Sequence, residues 1–231
     1  MIAVLAISIL MLSALAAYYW PYAARRLRVR RMQQQLARSR TLVLTYDDGP
    51  SPSLTPRVLD ILRKFEARAT FFMLGSNARR YPDVADRIVG EGHETGCHSD
   101  EHLNAWKVSP WRSIRDINTG YRALSRWVRP DALFRPPYGK ITLPTYRAVC
   151  ARGAEIGWWT LDSGDSREML RSSPEDVVRE IQRAGGGVVL MHDLAATQDR
   201  AEFVCRTTEL LLRAARSNGM TIKTMSELRH A

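Results

Sequence analysis

Cysteine is scarce, with three in 231 residues, Cys97, Cys150 and Cys205. That excludes a disulfide framework and guarantees at least one free thiol. Acidic residues are missing from the first 40 positions, which hold seven arginines (Arg25, Arg26, Arg28, Arg30, Arg31, Arg38 and Arg40), and no charged side chain occurs between Ile2 and Ala24. With those arginines set apart, the formal charge falls from +10 to +3. No later stretch interleaves clustered Lys/Arg with aromatics as an RNA or single-stranded DNA groove does, so no nucleic-acid partner is expected. Beyond residue 40 there is no Pro/Gly/Ser-rich linker and no repeat. Residues 41–231 therefore read as one domain, and a hydrophobic content of 45% suffices for a sizeable core.

The N-terminal segment reads as a membrane element. Residues 1–24 are long and apolar enough to cross a bilayer and end in Tyr18, Tyr19, Trp20 and Tyr22, aromatics suited to the interface. A cleaved signal peptide competes through the Ala14-Leu15-Ala16 pattern, but the charged start of such a peptide is missing. Residues 25–40 form a basic juxtamembrane linker or helix attracted to anionic headgroups. Arginines that follow the span place the remaining chain in the cytoplasm by charge bias, with the external side as the alternative.

After residue 40, short apolar runs alternate with amphipathic stretches. Strands are expected at Thr41–Tyr46, Ala69–Leu74, His93–His98, Ala132–Arg135, Glu155–Thr160, Gly187–His192 and Met220–Thr224. Three helices are announced by a capping residue before proline, at Thr55-Pro56, Ser109-Pro110 and Ser173-Pro174. Such alternation implies a parallel sheet flanked by helices, and about seven units can curl into a (β/α) barrel. Asp47 and Asp48 follow the first expected strand, His98 ends the third, Arg135 the fourth and His192 the sixth, while Asp162 and Asp165 follow the fifth. In a parallel barrel those ends share one face.

Asp48, His98 and His102 supply one carboxylate and two imidazoles, a set that leaves coordination positions open on a divalent metal able to activate water. Zinc is the first choice, with cobalt, ferrous iron or nickel as substitutes. Asp47 remains beside the set as a carboxylate outside the ligand shell. Cys97 directly precedes His98, and adjacent strand residues point to opposite faces, so it reads as a buried apolar residue.

T-Y-D-D-G-P (Thr45–Pro50), H-S-D-E-H (His98–His102), F-R-P-P-Y-G (Phe134–Gly139), W-T-L-D-S-G-D (Trp159–Asp165) and V-L-M-H-D (Val189–Asp193) resemble, in order, the five motifs of the polysaccharide deacetylase family, also called NodB-homology or carbohydrate esterase family 4. A-T-F-F at Ala69–Phe72 is similar to a core strand of that family. The resemblance covers about Thr41–Glu227. It implies a distorted (β/α) barrel of usually seven strands and a metal-dependent deacetylase acting on an N-acetylated glycan.

Carried over, it makes Asp48, His98 and His102 the metal ligands and Asp47 the general base, oriented by Arg135. It makes His192 the acid for the leaving amine, charged through Asp165, with Asp162 as the alternative partner. The backbone N–H of Tyr138 would stabilise the oxyanion, and Pro136 and Leu190 would line the substrate pocket. Ser166 stands where the family commonly has a Trp that walls the acetyl pocket, which leaves the acyl group open; Trp158 or Trp159 could compensate. Other readings are a deacylase of a different amide or an O-acetyl ester, or a silent membrane-anchored binding module.

Overall fold

In the computed structural model, which describes residues 2–167, 172–194 and 197–228, the apolar and basic N-terminal segments form one helix, α1 (Ile2–Ser39). Among the described residues it is the one helix long and apolar enough to cross a membrane. Its first half projects, with Val4, Leu5, Leu10 and Leu12 each more than 60% exposed. Its second half packs on the rest of the chain. Leu36 is 1% exposed, and the Gln33 amide donates to the carbonyls of Ala184 and Gly186 at 3.2 and 2.9 Å. Burying one leucine contributes roughly 1.5–3 kcal/mol, so this docking is a structural contact and not a loose tether.

Arg40 turns the chain into β1 (Thr41–Asp47). There follow α2 (Thr55–Lys64), β2 (Thr70–Met73), α3 (Gly75–Arg80), α4 (Pro82–Gly90), β3 (Glu94–Cys97), α5 (Pro110–Ala123), α6 (Leu143–Cys150), β4 (Leu161–Asp162), α7 (Pro174–Ala184), β5 (Gly187–His192), α8 (Gln198–Ser217) and β6 (Thr221–Ile222). Every strand pairing is parallel, in the order β3-β2-β1-β5-β4, and β6 joins β1 at its N-terminal end through Thr41 and Thr221.

Two expected strands shrink to single bridge positions. From Ala132–Arg135 only Phe134 pairs, with Cys97 on one side and Ile156 on the other. Pro136 and Pro137 follow immediately and cannot donate to a ladder. From Glu155–Thr160 only Ile156 bridges, and strand pairing resumes at Leu161 opposite Val189. In between, the Gly157 carbonyl accepts from the Arg135 guanidinium at 2.9 Å. Thr55 also departs from its expected capping role. Its hydroxyl accepts the Ser51 N–H and donates to the Asp193 carboxylate, and α2 begins without a side-chain cap. Ser109 and Ser173 do cap their helices.

Alternation along β1 positions the site. Leu42, Leu44 and Tyr46 face the helices and join Val58, Leu62 and Leu211, whereas Val43 packs on the other side with Phe72, Leu133, Val188 and Leu36. Thr45 and Asp47 continue that second stripe. It thus turns polar toward the C-terminal strand end.

Candidate active site and metal centre

Asp47 ends β1 directly opposite His192, which ends β5. Asp48 then takes φ 72°, so two consecutive carboxylates part company. One oxygen of Asp48 lies 3.4 Å from His98 Nε2 and 3.3 Å from His102 Nε2. His98 Nδ1 is 2.7 Å from the Arg135 carbonyl, which can only accept, so Nδ1 carries a proton and Nε2 is the nitrogen turned toward Asp48. His102, at φ 59°, is held by its N–H to Ser99 Oγ at 3.1 Å and by Tyr138, whose ring centre is 4.5 Å away.

These residues fit a divalent metal. The three ligating atoms lie within 4.8 Å of one another, and the Asp48 oxygen facing both imidazoles is buried without a hydrogen-bond partner. Donors about 2.1 Å from a shared tetrahedral ion stand about 3.4 Å apart, close to the spacing seen. Burial opposes ionisation of Asp48, yet contact with His98, aided by His192 and His102, holds it well below the usual carboxylate range. Burial and the neighbouring His98 bring His102 down to about 4, leaving it neutral as a ligand must be. Cys97 faces the opposite way, among apolar side chains, and burial pushes its thiol up to about 12.

Asp47 points into a second network. Arg135, fully buried, donates from Nη1 to Asp47 at 2.8 Å and to Thr45 Oγ1 at 2.7 Å, and its guanidinium lies 4.0 Å from the centre of the Phe72 ring. The cation is fixed on three sides.

The third cluster is His192 with Asp165. Nδ1 lies 3.0 and 3.2 Å from the two carboxylate oxygens, and Ser163 Oγ donates to the same carboxylate at 2.8 Å. Burial opposes charge on His192, but the hydrogen bond and charge of Asp165, with Asp48 and Asp47 behind, push it up to about 9. A dication at Asp48 would counter the last two contributions. Asp162 does not touch His192; it pairs with Arg167 at 2.7 Å.

All three clusters open into one cavity of about 410 Å³, also lined by Pro136, Tyr138, Trp159, Ser166, Leu190 and Arg200. Another cavity, about 500 Å³ between α1 and the domain flank, contains none of them. Trp158 is buried, so of the two tryptophans Trp159 is the one in the wall. Arg200 was not legible in the sequence. It sits in the first turn of α8, whose Thr197 cap accepts its N–H, and its Nε is 3.5 Å from Asp165. Asp193 was also without an expected role. Its carboxylate packs so tightly on Gly49 that a Cβ there would fall 2.1 Å from it, which explains the glycine in the D-D-G-P turn.

A parallel α/β fold with two imidazoles, a carboxylate, a flanking acid–arginine pair and an acid–histidine pair at the strand ends defines a metal-dependent hydrolase. The chain belongs to the polysaccharide deacetylase family, whose model matches residues 34–157. It is 34% identical over 189 residues to a peptidoglycan-N-acetylglucosamine deacetylase of Bacillus cereus, covering 81% of this chain and 87% of that protein. It is 31% identical to the peptidoglycan-N-acetylmuramic acid deacetylase PdaC of Bacillus subtilis, covering 82% of this chain and 38% of that longer protein. Among solved structures it resembles the Bc1960 peptidoglycan N-acetylglucosamine deacetylase, with a TM-score of 0.73 at 27% identity over 82% of this chain and 88% of the other. It also resembles a family 4 carbohydrate esterase from Streptomyces lividans, with a TM-score of 0.68 at 26% identity over 80% and 91%.

Proposed function

We propose that this chain is a metal-dependent amidohydrolase that removes N-acetyl groups from the amino sugars of a polysaccharide or a lipid-linked glycan. Asp48, His98 and His102 hold one divalent ion, with zinc first among the candidates because two imidazoles and a carboxylate suit it. When bound, that ion supplies Lewis acidity, which makes water acidic and polarises the acyl carbonyl.

Asp47 takes the proton of the attacking water, and Arg135 holds its carboxylate in place. The backbone N–H of Tyr138, a residue at φ 57° that lines the cavity, would be the donor to the developing oxyanion. His192, kept charged by Asp165, delivers a proton to the departing amine. Pro136 and Leu190 shape the pocket wall. Ser166, exposed at the rim, leaves open the space a tryptophan would fill.

The observation that carries this reading is the opening of three electrostatically distinct groups into one cavity: a ligand triad, an acid held by a buried arginine, and a histidine held by a buried acid. A silent binding module has no use for all three. Chelated and metal-reconstituted protein should differ in acetate release from N-acetylated oligosaccharides. Equal release, or none with metal restored, rejects the reading.

The helix α1 anchors the enzyme in a membrane, and the arginines from Arg25 onward favour a cytoplasmic catalytic domain. A C-terminal fusion to a reporter active only after export should stay silent, and a strong signal would place the domain outside.

A further inference from the structure

The direction in which α1 docks decides which face of the enzyme meets the bilayer. At its C-terminal end, Gln33 bonds Gly186 beside the start of β5, and Leu36 packs with Val43 and Val188 near the starts of β1 and β5. Nearer its N-terminus, Arg25 stacks on Trp159 at 4.1 Å and lies against Gly139, both of which line the catalytic cavity. Still earlier, Tyr22 and Tyr19 pack edge-on to Trp106 at 4.7 and 5.1 Å, and Lys140 lies 4.7 Å from the Tyr22 ring centre. Trp106 and Lys140 belong to the loops that follow His102 and Tyr138.

The helix therefore runs antiparallel to β1, from the active-site face to the opposite face. Distances agree: Tyr22 to Leu36 rises about 21 Å along a helix, and a seven-residue strand such as β1 spans about 23 Å. Residues before Tyr18 thus leave the domain, across Pro21, from the face that carries the catalytic groups. Their length matches the membrane, since Ile2 to Trp20 spans about 28 Å against a hydrocarbon core of about 30 Å.

A second observation comes from the surface outside α1. Among the described residues outside that helix, the exposed large hydrophobics are Val89, Trp106, Trp111, Tyr138 and Leu194. All but Val89 lie in the segments leaving C-terminal strand ends. Trp111, in the first turn of α5, is 81% exposed. Tryptophan and tyrosine favour the headgroup region.

We infer that the active-site mouth faces the bilayer, and that the substrate is an N-acylated amino sugar carried on a membrane lipid, presented within the headgroup layer. This rests on the deacetylase reading above and narrows its substrate. A domain held with its cavity against the membrane meets lipid-borne sugar at high effective concentration, and a distant polymer must enter from the side.

The test uses the full metal-loaded chain in phosphatidylethanolamine/phosphatidylglycerol vesicles. In a Cys150→Ser background, which leaves Cys97 and Cys205 buried, one fluorophore is attached at Trp111→Cys or at Val89→Cys, and nitroxide-headgroup lipid is the quencher. Quenching at least about threefold stronger at position 111 is expected from the fall-off across a domain this size; equal or reversed quenching overturns the orientation. Turnover is then compared on N-acetylglucosamine displayed on lipid in the same vesicles and on soluble chitotetraose. A roughly 20-residue Gly/Ser spacer between Trp20 and Pro21 keeps both the Ile2–Trp20 span and the docked part of α1 from Tyr22 onward but frees the domain's height. It should cut turnover of the lipid-borne sugar about tenfold and leave chitotetraose unaffected. Unchanged lipid-borne turnover overturns the substrate inference while the deacetylase reading stands. Absence of turnover on both substrates by the native chain overturns that reading and the substrate inference together, and the quenching result is read separately.

Discussion

Replacing Arg135 by Met probes the interior of the site. The native guanidinium is fully buried and makes three hydrogen bonds, to Asp47, Thr45 and the Gly157 carbonyl. Methionine fills much of the volume beside Phe72 but donates nothing. Asp47, 3% exposed, then loses its charge partner, and the Gly157 carbonyl loses its side-chain donor. Breaking a buried pair from one side costs about 3–5 kcal/mol, so urea unfolding of the chelated protein should show a loss of that size. Turnover of the metal-loaded protein should fall on the order of 10²-fold or more, because the base is no longer held in line.

Adding Asp47→Asn to Arg135→Met should restore part of the stability, since the double variant buries no lone charge, while turnover stays low. A loss below about 1 kcal/mol in Arg135→Met, or additive stability effects in the double variant, would refute the coupling.

Other outcomes follow from the same geometry. His102→Ala should lower metal affinity by more than the roughly 10–100-fold typical of an outer-shell partner, read by metal analysis after dialysis. Asp165→Asn should move the alkaline limb of kcat down by at least about one pH unit, because His192 loses the charge that keeps it protonated; an unmoved limb would assign the proton donor elsewhere. In the metal-free protein the stabilisation of His192 is complete below its unfolded value near 6.5 and is lost as pH rises through about 9, and the same variant should weaken that dependence, leaving the part that comes from Asp48 and Asp47. Ser166→Trp should penalise long acyl groups more than acetyl; equal effects at every acyl length would remove residue 166 from the pocket wall.

The site was more legible than the sheet. Asp47, His98 and His192 stand at strand ends that hydrophobic alternation marks, so their shared face could be read from order alone. Phe134 and Ile156 sit in apolar runs that look like strands, yet proline after one and a side-chain claim on the Gly157 carbonyl after the other cut the pairing to single bridges. Local pattern records burial, and it does not record which carbonyls tertiary contacts will take. Arg200 was invisible for a related reason. It lies in an amphipathic helix rich in arginine, and only the Thr197 cap beside β5 turns it toward Asp165. The docking of α1 was likewise hidden, because its basic stretch looks the same whether it meets lipid or protein.

The central claim, one ligand and one base from two adjacent aspartates, is tested most directly by measuring bound metal and acetate release in parallel for Asp47→Asn and Asp48→Asn. Asp47→Asn should keep about one metal per chain and lose on the order of 10²–10⁴-fold in turnover, whereas Asp48→Asn should lose the metal itself. Near-native turnover in Asp47→Asn, or full metal occupancy in Asp48→Asn, would contradict the account.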